Sequence, residues 1–157
     1  MIAKKHVMLI TLGACLVGLS ALGSLKNPVT RPNKGVGYAT EVVSLRPDSS
    51  YGSWVASEQG QGTHTGKYVT RVVEQLDPIA GYTFWGEGYL TAANGDQLFV
   101  TMNPPGASFN ITGGTGRFEG ATGVGTEVNS DIVSTVDPVA GTMTMTMKAT
   151  MEASITY

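Results

Sequence analysis

Few residues in this chain of 157 are equipped for chemistry. His64, in Gly62-Thr-His-Thr-Gly66, is the only histidine beyond the N-terminal segment. As a catalytic acid or base it needs a carboxylate brought from elsewhere in the fold. The plainer reading is a strand histidine hydrogen-bonded to a neighbour. Glu87 is the second candidate, since strand alternation puts it on one face with Trp85 and Tyr89. If that face points inward, desolvation raises the Glu87 pKa and makes it an acid or ligand anchor. If it points outward, Glu87 is a solvated residue between aromatics that cover a neighbouring sheet or subunit. Arg71 is the third, alternating with Val69 and Val73. It is either paired with Glu87 or Glu41, or it sits in water on a strand rim. The row Met143, Met145, Met147 and Met151 is either plain core or the adaptable apolar lining of a cavity.

Several chemistries are excluded. One histidine cannot build a multi-histidine metal site, so no metal is expected. No Ser-His-Asp arrangement with a nucleophile elbow is present. Gly60-Gln-Gly-Thr-His-Thr-Gly-Lys67 lacks the first glycine and the final Ser/Thr of a phosphate loop, and no nucleotide or other cofactor is expected. The formal charge is -2, and losing Lys4 and Lys5 takes it to -4. That balance, with four scattered arginines, does not suit nucleic acid.

The positioning elements read as all-β. Hydrophobic residues are 41 % and charged residues 14 %, as in a folded body. From residue 35 onward, short strand-like runs alternate with turn signals and no helical period appears. The first strand is expected over Val36–Arg46 and another over Tyr82–Ala92. Asn94-Gly95 is a strong hairpin signal, and Asp77-Pro-Ile-Ala-Gly81 and Asp137-Pro-Val-Ala-Gly141 are expected as turns. From Thr142 to Tyr157 methionine, alanine and isoleucine alternate with threonine and charged residues, which predicts one buried and one wet face. Ile111–Gly125 carries six glycines among Phe118 and β-branched residues, and reads as a tight strand-turn-strand crossing. Seven to nine hairpin-linked strands point to a closed barrel, with an open sandwich as the alternative.

The N-terminus has the order of a secretory signal: Lys4-Lys5, an apolar run over Val7–Leu22, then Ala21-Leu22-Gly23 for cleavage. An uncleaved anchor is the alternative, although the run falls short of the ~20 residues a span needs. Leu12-Gly-Ala-Cys15 offers a lipoprotein route through the single cysteine, against a very short preceding apolar segment. The expected organisation is a signal peptide over 1–23, a polar linker over 24–34 and a barrel domain over 35–157, secreted or periplasmic, with no stable membrane span.

The block Gly113-Gly-Thr-Gly-Arg-Phe118 with Gly120 and Gly123, together with Gly62–Gly66 and Leu90-Thr-Ala-Ala-Asn-Gly-Asp-Gln-Leu98, resembles the allene oxide cyclase and dirigent proteins. The resemblance covers about Gly60 to Gly125. It implies an eight-stranded antiparallel barrel of the calycin type, a small apolar ligand, and an isomerase or cyclase that works by shaping its substrate. It also raises the expectation of a homodimer or homotrimer. The shared residues are turn-makers and strand-packers, so no catalytic residue of that family is carried over. The expected molecule is thus a ligand-binding barrel with Trp85, Tyr89, Met145 and Met147 lining the pocket and Glu87, His64 and Arg71 as candidate catalysts. A non-catalytic envelope or secreted binding protein, its barrel filled with side chains, is the reading from a different class.

Overall fold

The computed structural model describes residues 27–44, 52–77, 82–103 and 108–157. The expected signal segment, Cys15 and the turn at 78–81 lie outside the described residues. Eight strands follow one another: β1 (Thr30–Ser44), β2 (Gly52–Gly62), β3 (Gly66–Asp77), β4 (Tyr82–Ala92), β5 (Gln97–Asn103), β6 (Ser108–Gly114), β7 (Thr122–Asp137) and β8 (Thr142–Thr156). Each pairs antiparallel with its chain neighbour, and β1 pairs with β8 to close the barrel. Closure leaves few free sheet edges. Among the described residues, β7 beyond Thr126 is bonded only to β8.

β1 begins at Thr30, ahead of the expected start, so part of the anticipated linker is ladder. Thr30–Lys34 lie opposite Glu152–Thr156. Pro32 is tolerated for a geometric reason. Val29 and Tyr157 exchange both backbone hydrogen bonds. Bonded and non-bonded pairs alternate along an antiparallel ladder, so Pro32 opposite Ser154 falls on a non-bonded pair. The N–H that proline lacks would point away from β8, where β2 does not reach.

The glycine-rich crossing is resolved as expected into β6, a single 3-10 turn at Gly116–Phe118, and β7. In the Asp137–Gly141 turn the Asp137 carboxylate accepts hydrogen bonds from the amides of Val139 at 2.9 Å and Ala140 at 3.0 Å.

The inner rows are marked by small residues facing large ones. Tyr68 crosses over Gly60, where a Cβ would lie 2.5 Å from the ring. Gly88 packs against the β3 backbone, and a Cβ there would lie 2.7 Å from the Cα of Val72. A barrel of eight strands is just wide enough to be filled by side chains, so it needs such gaps. Phe118, Ile155, Ile111, Leu98, Leu90, Tyr68, Phe109 and Met151 fill its lower half, the end carrying the turns at 63–65 and 93–96 and the 115–121 crossing.

Replacing Gly88 by Ala forces a Cβ into backbone that cannot swing aside. The expected destabilisation is roughly 1–3 kcal/mol. A melting temperature several degrees lower than wild type checks it.

Candidate functional site

The upper half of the barrel, toward the end of β1 and the 138–141 connection, is lined differently. β1 presents Ala39, Glu41 and Val43 inward. Glu41 lies opposite Ala56 of β2 and Met145 of β8. β2 contributes Trp54 and Glu58, β3 contributes Val72 and Glu74, and β7 contributes Glu127. Glu41, Glu58 and Glu74 are 8 %, 5 % and 4 % exposed. Four glutamates therefore share the interior of one small barrel.

Burial in apolar surroundings disfavours the charged form. The Glu41 carboxyl is pushed up to about 7, first by burial and then by the charge of Glu74. Glu127 is also pushed up to about 7, by burial and then by Glu58, Glu41 and Glu74, with a hydrogen bond to Asn129 opposing. Glu58 is raised by burial, while its bond to Tyr68 opposes the rise. The Tyr68 hydroxyl donates to Glu58 Oε1 at 2.6 Å. Burial, that bond and the nearby carboxylates keep the phenol protonated. Gly37 makes room for the Glu58 carboxyl, which occupies the place a Cβ would take. A cavity of about 50 Å³ lies between Glu58 and Glu127, walled by Val72, Leu90, Phe109 and Met151. That space admits water-sized groups. The indole N–H of Trp54, higher in the barrel, is enclosed with no hydrogen-bond partner among the described residues. Among the described residues, no three His, Cys, Asp or Glu side chains are placed to hold one metal ion.

The arrangement can hold and move protons. Two carboxyls poised near neutrality, facing one interior from different strands, can serve as an acid and a base. The surrounding Met143, Met145 and Met147 rows supply a deformable apolar wall.

The residues expected from sequence fall in three separate places. Met147 is buried in the inner row of β8 and Met145 half-buried beside Glu41. Trp85, Glu87 and Tyr89 are on the outer face, with Trp85 43 % and Tyr89 38 % exposed. The Trp85 row does not face inward, because Gly86, Gly88 and Leu90 occupy the inner row of β4 instead. Arg71 is outside too, opposite Tyr89. It cannot meet Glu41, which lies inside.

His64 sits in the β2–β3 turn at the lower end. Its Nε2 and the Tyr157 hydroxyl share a hydrogen bond, and its backbone N–H donates to Asn33 Oδ1 at 2.9 Å. Phe118 packs edge-on against the Tyr157 ring at 5.3 Å, and the Arg117 guanidinium covers Phe118 at 4.5 Å. Burial lowers the His64 pKa, and the positive charges of Arg31 and Arg117 lower it further. No carboxylate is bonded to it among the described residues. His64 closes the lower end; it does not join the glutamates.

Proton counting sets the pH dependence of stability. In the folded state Glu41 and Glu127 keep their protons to about pH 7, whereas in the unfolded chain they release them near 4.5. Between those values the folded state binds more protons, so stability falls as pH rises. The expected loss from pH 4.5 to 8 is on the order of 3 kcal/mol for each carboxyl. Denaturant midpoints at the two pH values check it, and the Glu41→Gln/Glu127→Gln double variant should flatten the slope.

No protein-family model, no curated protein and no solved structure matches this chain.

Proposed function

We propose that the protein is a secreted or periplasmic barrel that binds a small, largely apolar molecule in its upper half and isomerises or cyclises it there. The observation that carries this reading is the pair Glu41 and Glu127, both held near pKa 7 and facing one interior. At neutral pH one carboxylate can take a proton from the bound molecule while the other carboxyl returns one. The net result is a rearranged molecule and a proton moved from one carboxyl to the other, with none gained or lost overall; the starting state returns when the two carboxyls re-equilibrate. Holding the molecule against apolar walls supplies the rest, since fixing reacting groups in one geometry lowers barriers by several kcal/mol. The Trp54 N–H, unpartnered among the described residues, is a ready donor to an oxygen of such a molecule. The likeness of the glycine block to allene oxide cyclase and dirigent proteins supports the same reading, because that resemblance implies a shaping cyclase or isomerase. The expected N-terminal signal segment supports the location.

A second reading is a non-catalytic binding or envelope protein with a filled barrel. The packed lower half and the small free volume, about 50 Å³, favour it. The two readings differ in what Met145 does. It lies opposite Glu41 at the entrance to the upper half.

Native mass spectrometry on mature protein from its own kind of host, before and after solvent extraction, is the first test. A co-purifying apolar molecule is expected, lost on extraction and absent from a folded Met145→Trp variant. Glu127→Gln should retain the molecule and lose turnover of it by at least a hundredfold. A compact species that is empty before extraction would overturn the ligand reading.

A further inference from the structure

The outer face of the barrel carries a patch that the interior chemistry leaves unused. Val42, Val55 and Val73 stand in one row across β1, β2 and β3, each directly opposite the next. Trp85, Tyr89 and Phe99 continue it over β4 and β5, with Tyr89 opposite Phe99. Each of the six leaves 38–43 % of its surface in solvent. The three rings alone present roughly 200–300 Å² of apolar and aromatic surface. With the valines the patch reaches the size that marks an interaction site.

Two opposite charges sit within it. Arg71 is opposite Tyr89, and Glu87 is opposite Val73, so the two are diagonal neighbours across β3 and β4. Diagonal positions stand roughly 7–8 Å apart. Both are exposed, and neither forms an ion pair among the described residues, where the pairs are Lys34–Glu152 and Arg117–Asp96. The patch is therefore neutral overall and carries one charge of each sign beside aromatic anchors.

We infer that this face is a two-fold interface between two copies of the chain, in which Arg71 of each copy meets the partner's Glu87. A two-fold axis lying in the plane of the face, midway between the two charges and perpendicular to the line joining them, exchanges their positions. Both ion pairs then form at once, as an isologous contact requires. The same rotation brings Tyr89 and Val73 close to their own counterparts, so rings meet rings and valines meet valines. A groove of about 380 Å³ bordered by Arg71, Glu87, Tyr89 and Phe99 gives the opposing side chains a place to enter. Tyrosine, tryptophan and arginine are the residue types that anchor interface centres. The equal and opposite charges select a second copy, because a partner of single-sign charge would leave one of them opposed or unpaired.

The test is the mass of the mature protein by light scattering at micromolar concentration. Wild type is expected at twice the mass of one chain. Arg71→Glu and Glu87→Arg are each expected as monomers, since each places like charges together across the axis. Two restorations follow from the two-fold geometry. The Arg71→Glu/Glu87→Arg double variant should dimerise, and the two single variants should form a heterodimer when mixed, because both of its contacts are then opposite in sign. Far-UV circular dichroism and melting temperature close to wild type keep the single variants interpretable. A monomeric wild type, single variants that stay dimeric, or a mixture that stays monomeric would each overturn the interface.

Discussion

Pairing of the first strand with the last, along fifteen residues from Thr30 opposite Thr156 to Ser44 opposite Thr142, turns a sheet into a barrel. Closure fixes the radius, and the radius limits what the interior can hold. A ring as large as Tyr68 fits only because Gly60 and Gly35 lie beneath it, and Phe109 only because Gly125 gives way. The glycines of the inner rows are thus not slack in the backbone. They are the spaces that closure at this radius demands, whereas Gly95 and Gly120 serve turns in open space.

The interior so enclosed is split in character. Its lower half is ordinary core, stopped by Phe118, Tyr157 and His64. Its upper half holds four carboxyls, for which burial is unfavourable. Among the described residues no lysine or arginine is buried with them. Tyr68 satisfies Glu58 with a bond at 2.6 Å, and Asn129 bonds Glu127. Packing alone would favour apolar residues at these positions. Such departures from local packing rules are expected at functional or strained sites. The enclosed Trp54 N–H, unbonded among the described residues, breaks the same rule in the same half.

Much of the architecture was legible. The limits of β4, the Asn94-Gly95 hairpin and the methionine row of β8 follow from alternation and turn chemistry alone. The site was not, and β1 shows why. Its outer row is Val36, Tyr38, Thr40 and Val42; its inner row is Gly37, Ala39, Glu41 and Val43. A rule that sends apolar residues inward selects the wrong row, because the outer row is the more apolar of the two. The same inversion on β4 made the Trp85 row look like a lining. The signal that separates the rows is size, since small residues recur at every second position of the inner rows: Gly35, Gly37 and Ala39 on β1, Gly86 and Gly88 on β4. The start of β1 was misplaced for another reason: Pro32 reads as linker unless the phase of the β8 ladder is known.

The two faces of β4 bear on how its residues act. Trp85, Glu87 and Tyr89 point outward while Gly86, Gly88 and Leu90 point inward, so the strand serves both the barrel wall and the outer patch. Register ties these roles together, because a slip of one residue would exchange the rows. Such a slip would bring Glu87 inside among four existing carboxyls and drive bulky rings into the space that Gly88 leaves for the β3 backbone. Close packing at Gly88 forbids it. The glycines that shape the interior therefore also hold the aromatic patch on the outside, and substitutions confined to the outer row can alter association without touching the carboxyls within.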